Sequence, residues 1–88
     1  MPDRHILIIE SDPAMRLLCV KALMESGYLV YGATTAQAGR ALLGQRRFDA
    51  VLCNTRLETD SGLHLLKEHY VQFIKQATQV IVMCDQPK

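Results

Sequence analysis

Four short apolar runs, at residues 6–9, 29–31, 50–53 and 80–83, constrain this chain more than any other feature. Each is too short for a helix; consecutive apolar residues at 6–9 and 50–53 suit strands covered on both faces, and the short run at 29–31 suits an edge. Longer stretches with helical spacing separate them, at residues 13–26, 36–46 and 62–76. The order β-α-β-α-β-α-β with short connections requires parallel strands and right-handed crossovers. The expectation is a single α/β domain over residues 1–88, without repeats, linkers or low-complexity segments.

The helix limits can be read from caps. Asp12 precedes Pro13, so its carboxylate can accept from free amides of the first turn while Pro13 suits the first helical position. Gly27 stops this helix. Its apolar residues fall in two stripes: Met15, Leu18, Cys19, Ala22 and Leu23 are expected to cover the sheet, and Leu17, Val20 and Met24 to need another partner. Thr34 and Thr35 offer a cap for the second helix, which Leu42 and Leu43 anchor. Gly39 and Gly44 are expected to weaken it, by about 1 kcal/mol each relative to Ala. The third helical stretch carries Leu63, Leu66, Tyr70, Phe73 and Ile74 at helical spacing, and β-branched Val71 marks a middle that can break.

Charge and cysteine usage exclude several classes. Ten Lys and Arg against nine Asp and Glu, with no basic stripe, give no electrostatic basis for nucleic acid or a membrane as partner. No stretch approaches membrane-spanning length and no secretory signal is visible, so the expected location is cytoplasmic. Cys19, Cys53 and Cys84 are odd in number, widely spaced and set in apolar segments, the pattern of reduced core thiols. His5, His64 and His69 do not cluster at metal-ligand spacing.

Chemistry in an open parallel sheet collects beyond the carboxyl ends of its strands. The central segment delivers Asn54 there: Asp49 leads into an apolar run, the run ends on Asn54, and a polar turn closes on Gly62. Glu10, Ser11 and Asp12 follow the first strand, and Cys84 follows the fourth. These residues, with the separations from Glu10 to Asn54, Asn54 to Gly62 and Asn54 to Cys84, together resemble a response-regulator receiver domain over the whole chain. The resemblance implies a flavodoxin-like, CheY-like doubly wound sheet of strand order 2-1-3-4, lacking the family's final helix-strand-helix. It also implies a place in two-component or phosphorelay signalling.

In that family an aspartate at the position of Asn54 takes a phosphoryl group, an acidic pair at Glu10 and Ser11 helps to hold Mg²⁺, and a Thr or Ser at Cys84 reports the phosphate. This chain departs at each place. An amide has no anionic oxygen with which to form an acyl phosphate. Glu10 keeps one charge on a longer stem, Ser11 is neutral, and Mg²⁺ wants geometrically strict carboxylate oxygens. The expectation is no cofactor, with Mg²⁺ weak at Glu10 or not bound. Cys84 offers a weak thiol donor in place of a hydroxyl. Asp12 is read as a helix cap, while Glu10 is either a vestigial metal ligand or a solvated carboxylate at the strand end.

The functional expectation is a non-enzymatic pseudo-receiver that acts through protein contacts. Its partner would be a histidine kinase, an output domain or a second receiver, and its movable parts the loop 58–61 and the helix from Gly62. Two rivals stand beside it. One is a receiver phosphorylated at a substitute such as Asp60, Ser11 or Thr55. The other is a small nucleotide- or flavin-binding domain, against which stands the acidic turn after the first strand, which would repel phosphate. Without a further helix-strand-helix, the fourth strand should expose an edge and the second stripe of the first helix should face water. The chain is then expected to be marginal as a monomer, completed by a second copy at the fourth strand or by residues beyond Lys88.

Overall fold

The computed structural model describes residues 3–55 and 61–83. Its elements are β1 (His5–Ile9), α1 (Pro13–Glu25), β2 (Leu29–Ala33), α2 (Ala36–Gln45), β3 (Ala50–Asn54), α3 (Gly62–Glu68), α4 (Tyr70–Gln76) and β4 (Gln79–Met83). The strands form one parallel sheet in the order β2-β1-β3-β4, as expected.

The consecutive apolar residues of β1 are divided between the two faces. Leu7 and Ile9 join Val51 and Cys53 of β3 in a core closed by Leu43, Phe48, Leu65, Leu66 and Phe73. Ile6 and Ile8 are buried outside that cluster, and α1 packs on β1 and β2. Each such side chain contributes about 1.5–3 kcal/mol by leaving water, which is why the apolar runs are continuous here.

The face that α1 turns to the sheet differs from the expected one. Met15 and Leu18 are exposed, Leu18 at 63%, and the side chains nearest the sheet are Arg16, Cys19, Val20 and Leu23. Apolar residues are spread almost evenly round this helix, so their spacing defines no phase. Val20, assigned to the outer stripe, packs beside Gly32, whereas Leu17 and Met24 are exposed as expected.

The third helical stretch breaks, at His69 rather than Val71. The His69 N–H donates to the Leu65 carbonyl at 3.2 Å, and its own carbonyl accepts from Phe73 N–H at 2.9 Å. The turn resets the helical phase, so Leu65, Leu66 and Phe73 are buried while Leu63, Tyr70 and Ile74 are exposed. α4 then ends on Ala77 at φ 55°, a left-handed conformation that costs a non-glycine residue about 1 kcal/mol. Thr78 offsets this: its N–H donates to the Phe73 carbonyl at 2.9 Å and its Oγ1 to the Phe48 carbonyl at 2.7 Å. Gly39, expected to weaken α2, also has a packing role. A β-carbon there would stand 2.6 Å from Ile9 Cδ1, so its absence lets α2 lie on β1.

At the amino end of the sheet Asp49 ties three strands together. Its carboxylate accepts from His5 N–H at 2.8 Å and from Arg47 Nη1 at 2.6 Å, its N–H donates to the His5 carbonyl, and its carbonyl accepts from Gln79. The His5 N–H, and after it the Arg47 guanidinium, hold this carboxyl below its ordinary value of 3.8. The stability it contributes is therefore complete above that value and lost as pH falls through the lower folded one. Thermal midpoints measured from neutral pH downward should show an acid slope that flattens in Asp49→Asn. Parallel slopes in the two proteins would place the acid sensitivity elsewhere.

Candidate functional site

Beyond the carboxyl ends of β1 and β3 lies a buried carboxylate. Glu10 N–H still donates to the Ala33 carbonyl of β2 at 2.9 Å, which keeps the backbone in the plane of the sheet and the side chain inside, only 3% exposed. A carboxylate in such a place costs several kcal/mol unless donors meet it. Asn54 Nδ2 donates to its Oε1 at 2.8 Å, and the Asp12 N–H to its Oε2 at 3.0 Å. Glu10 is therefore not the solvated strand-end group that was one of its two readings.

The geometry also says what the amide of Asn54 does. Asn54 is the last residue of β3 and is 5% exposed. Only the nitrogen end of an amide can donate to an ionised carboxylate. An aspartate in the same place would set two carboxylates in contact, and like charges that close cannot both ionise without a cation between them. Asn54 instead meets the Glu10 carboxylate with a neutral donor.

Neighbouring residues frame this pair. Asp12 Oδ1 accepts from Ala14 N–H at 3.2 Å, the helix cap that was expected. Ser11 is half-buried. Arg16, which the sequence reading passed over, sends Nη1 to the Glu10 carbonyl at 2.8 Å and to the Ser11 carbonyl at 3.5 Å. A basic residue one turn into the helix that follows Asp-Pro was the available signal. Thr55 N–H donates to the Met83 carbonyl at 3.1 Å, joining the end of β3 to β4. Cys84, Glu58 and Asp60 lie outside the described residues.

Cys53 is a core thiol in this structure. Burial, and after it the charge of Glu10, push its pKa up to about 11, the setting of a protonated structural thiol. Among the described residues no three His, Cys, Asp or Glu side chains come together as a metal-binding group. Toward Mg²⁺ the strand ends present the Glu10 carboxylate with both oxygens hydrogen-bonded, beside a neutral Ser11 and a neutral Asn54, while the Asp12 carboxylate is engaged through Oδ1 as the cap of α1. That donor set does not fit a hard cation.

Gly62 starts α3 under tight constraint. Its N–H donates to the Thr55 carbonyl at 3.2 Å, and Ser61 Oγ caps the helix by accepting from His64 N–H at 3.3 Å. A β-carbon on Gly62 would lie 1.9 Å from the Asn54 carbonyl oxygen, a main-chain atom with nowhere to go. Gly62→Ala should lose about 3 kcal/mol or more, read as a fall in the urea midpoint. A variant as stable as the parent would show that α3 does not approach β3 so closely.

Comparison with known proteins agrees with this architecture. The sequence pattern of the family described as the response regulator receiver domain matches residues 6–87. The chain is 27% identical over 79 residues to the transcriptional regulatory protein GlrR of Escherichia coli, covering 90% of this chain and 17% of GlrR. It is 28% identical over 79 residues to protein PetR of Rhodobacter capsulatus, covering 90% of this chain and 32% of PetR. It therefore spans between a sixth and a third of these relatives. Among solved structures, the chemotaxis response regulator CheY4 of Vibrio cholerae superposes with a TM-score of 0.88 at 17% identity, over 99% of this chain and 72% of that one. The response regulator TrrA of Thermotoga maritima, in complex with Mg²⁺-BeF, superposes at 0.83 with 22% identity, over 92% of this chain and 69% of that one. With the strand order and the family pattern in agreement over nearly its whole length, the chain belongs to the response-regulator receiver domain family.

Proposed function

We propose that this chain is a pseudo-receiver: a receiver domain of a two-component system that signals by contact with another protein and takes up no phosphoryl group. The observation that carries the reading is the 2.8 Å hydrogen bond from Asn54 Nδ2 to Glu10 Oε1. Formation of an acyl phosphate needs a carboxylate oxygen as nucleophile, and the amide of Asn54 supplies none. The Glu10 carboxylate is met by protein donors on both oxygens, so Mg²⁺ would have to compete with them for it. TrrA was captured with Mg²⁺-BeF; for this chain we expect Mg²⁺ to bind weakly or not at all.

Asn54, Glu10, Ser11 and Asp12 act in this reading as an internally closed version of an acidic pocket. Without phosphate, any change of state must come from a partner that binds one conformation better than another. Receiver domains work with kinases or output domains in two-component systems, and those classes, with a second receiver, are the proposed partners. Leu17 and Met24 on α1, and Val80, Ile81 and Val82 on β4, are exposed apolar side chains that such a contact would cover. A second copy pairing along β4 belongs to the same proposal, since that strand carries no charged residue to discourage pairing. No helix among the described residues is long and apolar enough to cross a membrane.

Incubation with acetyl phosphate and Mg²⁺, followed by intact mass, should add nothing to the native chain. The double variant Asn54→Asp with Ser11→Asp should gain one phosphoryl group, whereas Asn54→Asp alone should gain less. Added phosphate on the native chain, mapped to Ser11, Thr55 or Asp60, would replace this reading with that of a substitute acceptor.

A further inference from the structure

We infer that Arg16 is the positioning residue of this pocket: by holding the carbonyls of Glu10 and Ser11 it turns the Asp12 N–H onto the Glu10 carboxylate. The inference rests on the pseudo-receiver reading only in its meaning, since a closed pocket is what that reading requires. Arg16 sits in the first turn of α1, its own N–H bonded to the Asp12 carbonyl at 2.9 Å. Its stem crosses β2, with Cδ 3.5 Å and Cγ 3.7 Å from where a β-carbon on Gly32 would stand. This brings Nη1 to 2.8 Å from the Glu10 carbonyl and 3.5 Å from that of Ser11.

The consequence follows from peptide geometry. In a planar trans peptide the C=O and the N–H point in opposite directions. The Ser11 carbonyl and the Asp12 N–H belong to one such unit. Directing that carbonyl toward the Arg16 guanidinium therefore directs the N–H away from it, onto Glu10 Oε2 at 3.0 Å. Glu10 N–H is meanwhile fixed to the Ala33 carbonyl, so both peptides flanking Glu10 are pinned and the direction of its Cα–Cβ bond is set. Asn54 can then approach Oε1 from β3.

The test compares the full chain with Arg16→Gln and Arg16→Lys by NMR, following hydrogen exchange of the Asp12 amide and the side-chain amide resonances of Asn54. In Arg16→Gln the Asp12 amide should exchange about tenfold faster or more, the effect expected from losing a hydrogen bond to a charged group. The Asn54 side-chain resonances should shift with it, while Leu7 and Val51 in the central strands keep their protection. Arg16→Lys, which can offer a point charge to one carbonyl but no planar fork, should restore part of the effect. Unchanged Asp12 exchange in Arg16→Gln would overturn the inference, and so would a loss of protection spread equally to Leu7 and Val51. If Arg16→Gln fails to fold, Arg16→Lys against the native chain decides: faster Asp12 exchange with Leu7 unaffected supports it, and no change overturns it. Phosphoryl uptake by the native chain would defeat the pseudo-receiver reading and leave this comparison standing.

Discussion

The buried carboxylate of Glu10 is the constraint around which the site is arranged. The β2-β1-β3 ladder carries its backbone one residue past the end of β1, so the side chain is drawn inside whether or not a counter-charge is waiting. A charge in a low-dielectric interior must be met by donors, by a cation or by a proton. This chain uses donors, one from the end of β3 and one from the first turn after β1. The identity of residue 54 and the shape of the β1–α1 connection are then parts of one solution.

The two ends of the sheet handle their acidic residues differently. Asp49, at the amino end, is partly open to solvent and shares its carboxylate between a backbone amide and the cation of Arg47. Glu10, at the carboxyl end, shares its carboxylate between a backbone amide and a neutral side-chain amide. An ion pair at the exposed end needs little desolvation, whereas a buried pair of full charges would have to recover a cost of several kcal/mol per ion. A neutral donor avoids half of that. It also leaves the pocket without the cluster of anionic oxygens that Mg²⁺ chemistry uses. In the proposed reading, the amide that donates to Glu10 is also what leaves the site without a carboxylate nucleophile.

The sequence is most legible where local chemistry decides the outcome. Apolar runs bounded by charge mark β1 and β3, Asp12 and Thr35 cap the helices they precede, and Asn54 is the last residue of its strand. Legibility fails where two elements must be placed against each other. The phase of α1 cannot be read from a helix apolar on all sides, and the break at His69 has no proline or glycine to announce it. Gly39 looks like a weak helical residue until Ile9 is seen beneath it. The ending of α4 on left-handed Ala77 depends on Thr78 reaching the Phe48 carbonyl, 30 residues away in the chain. Glu10 and Arg16 belong to the same class: the acidic turn is visible in the sequence, but the closure of its carboxylate by Asn54 and Asp12 is a tertiary fact.

The central claim is that the protein's own donors satisfy Glu10 and make the pocket indifferent to divalent metal. Its most direct test is the thermal midpoint of the native chain with and without millimolar Mg²⁺. A cation that binds only the folded state stabilises it by mass action, by about 2.7 kcal/mol at a hundredfold excess over its dissociation constant, which moves the midpoint of a domain this small by many degrees. The account predicts no shift in the native chain. A midpoint that rises steadily with Mg²⁺, and falls back on chelation, would contradict it by showing that the Glu10 carboxylate is still a metal ligand.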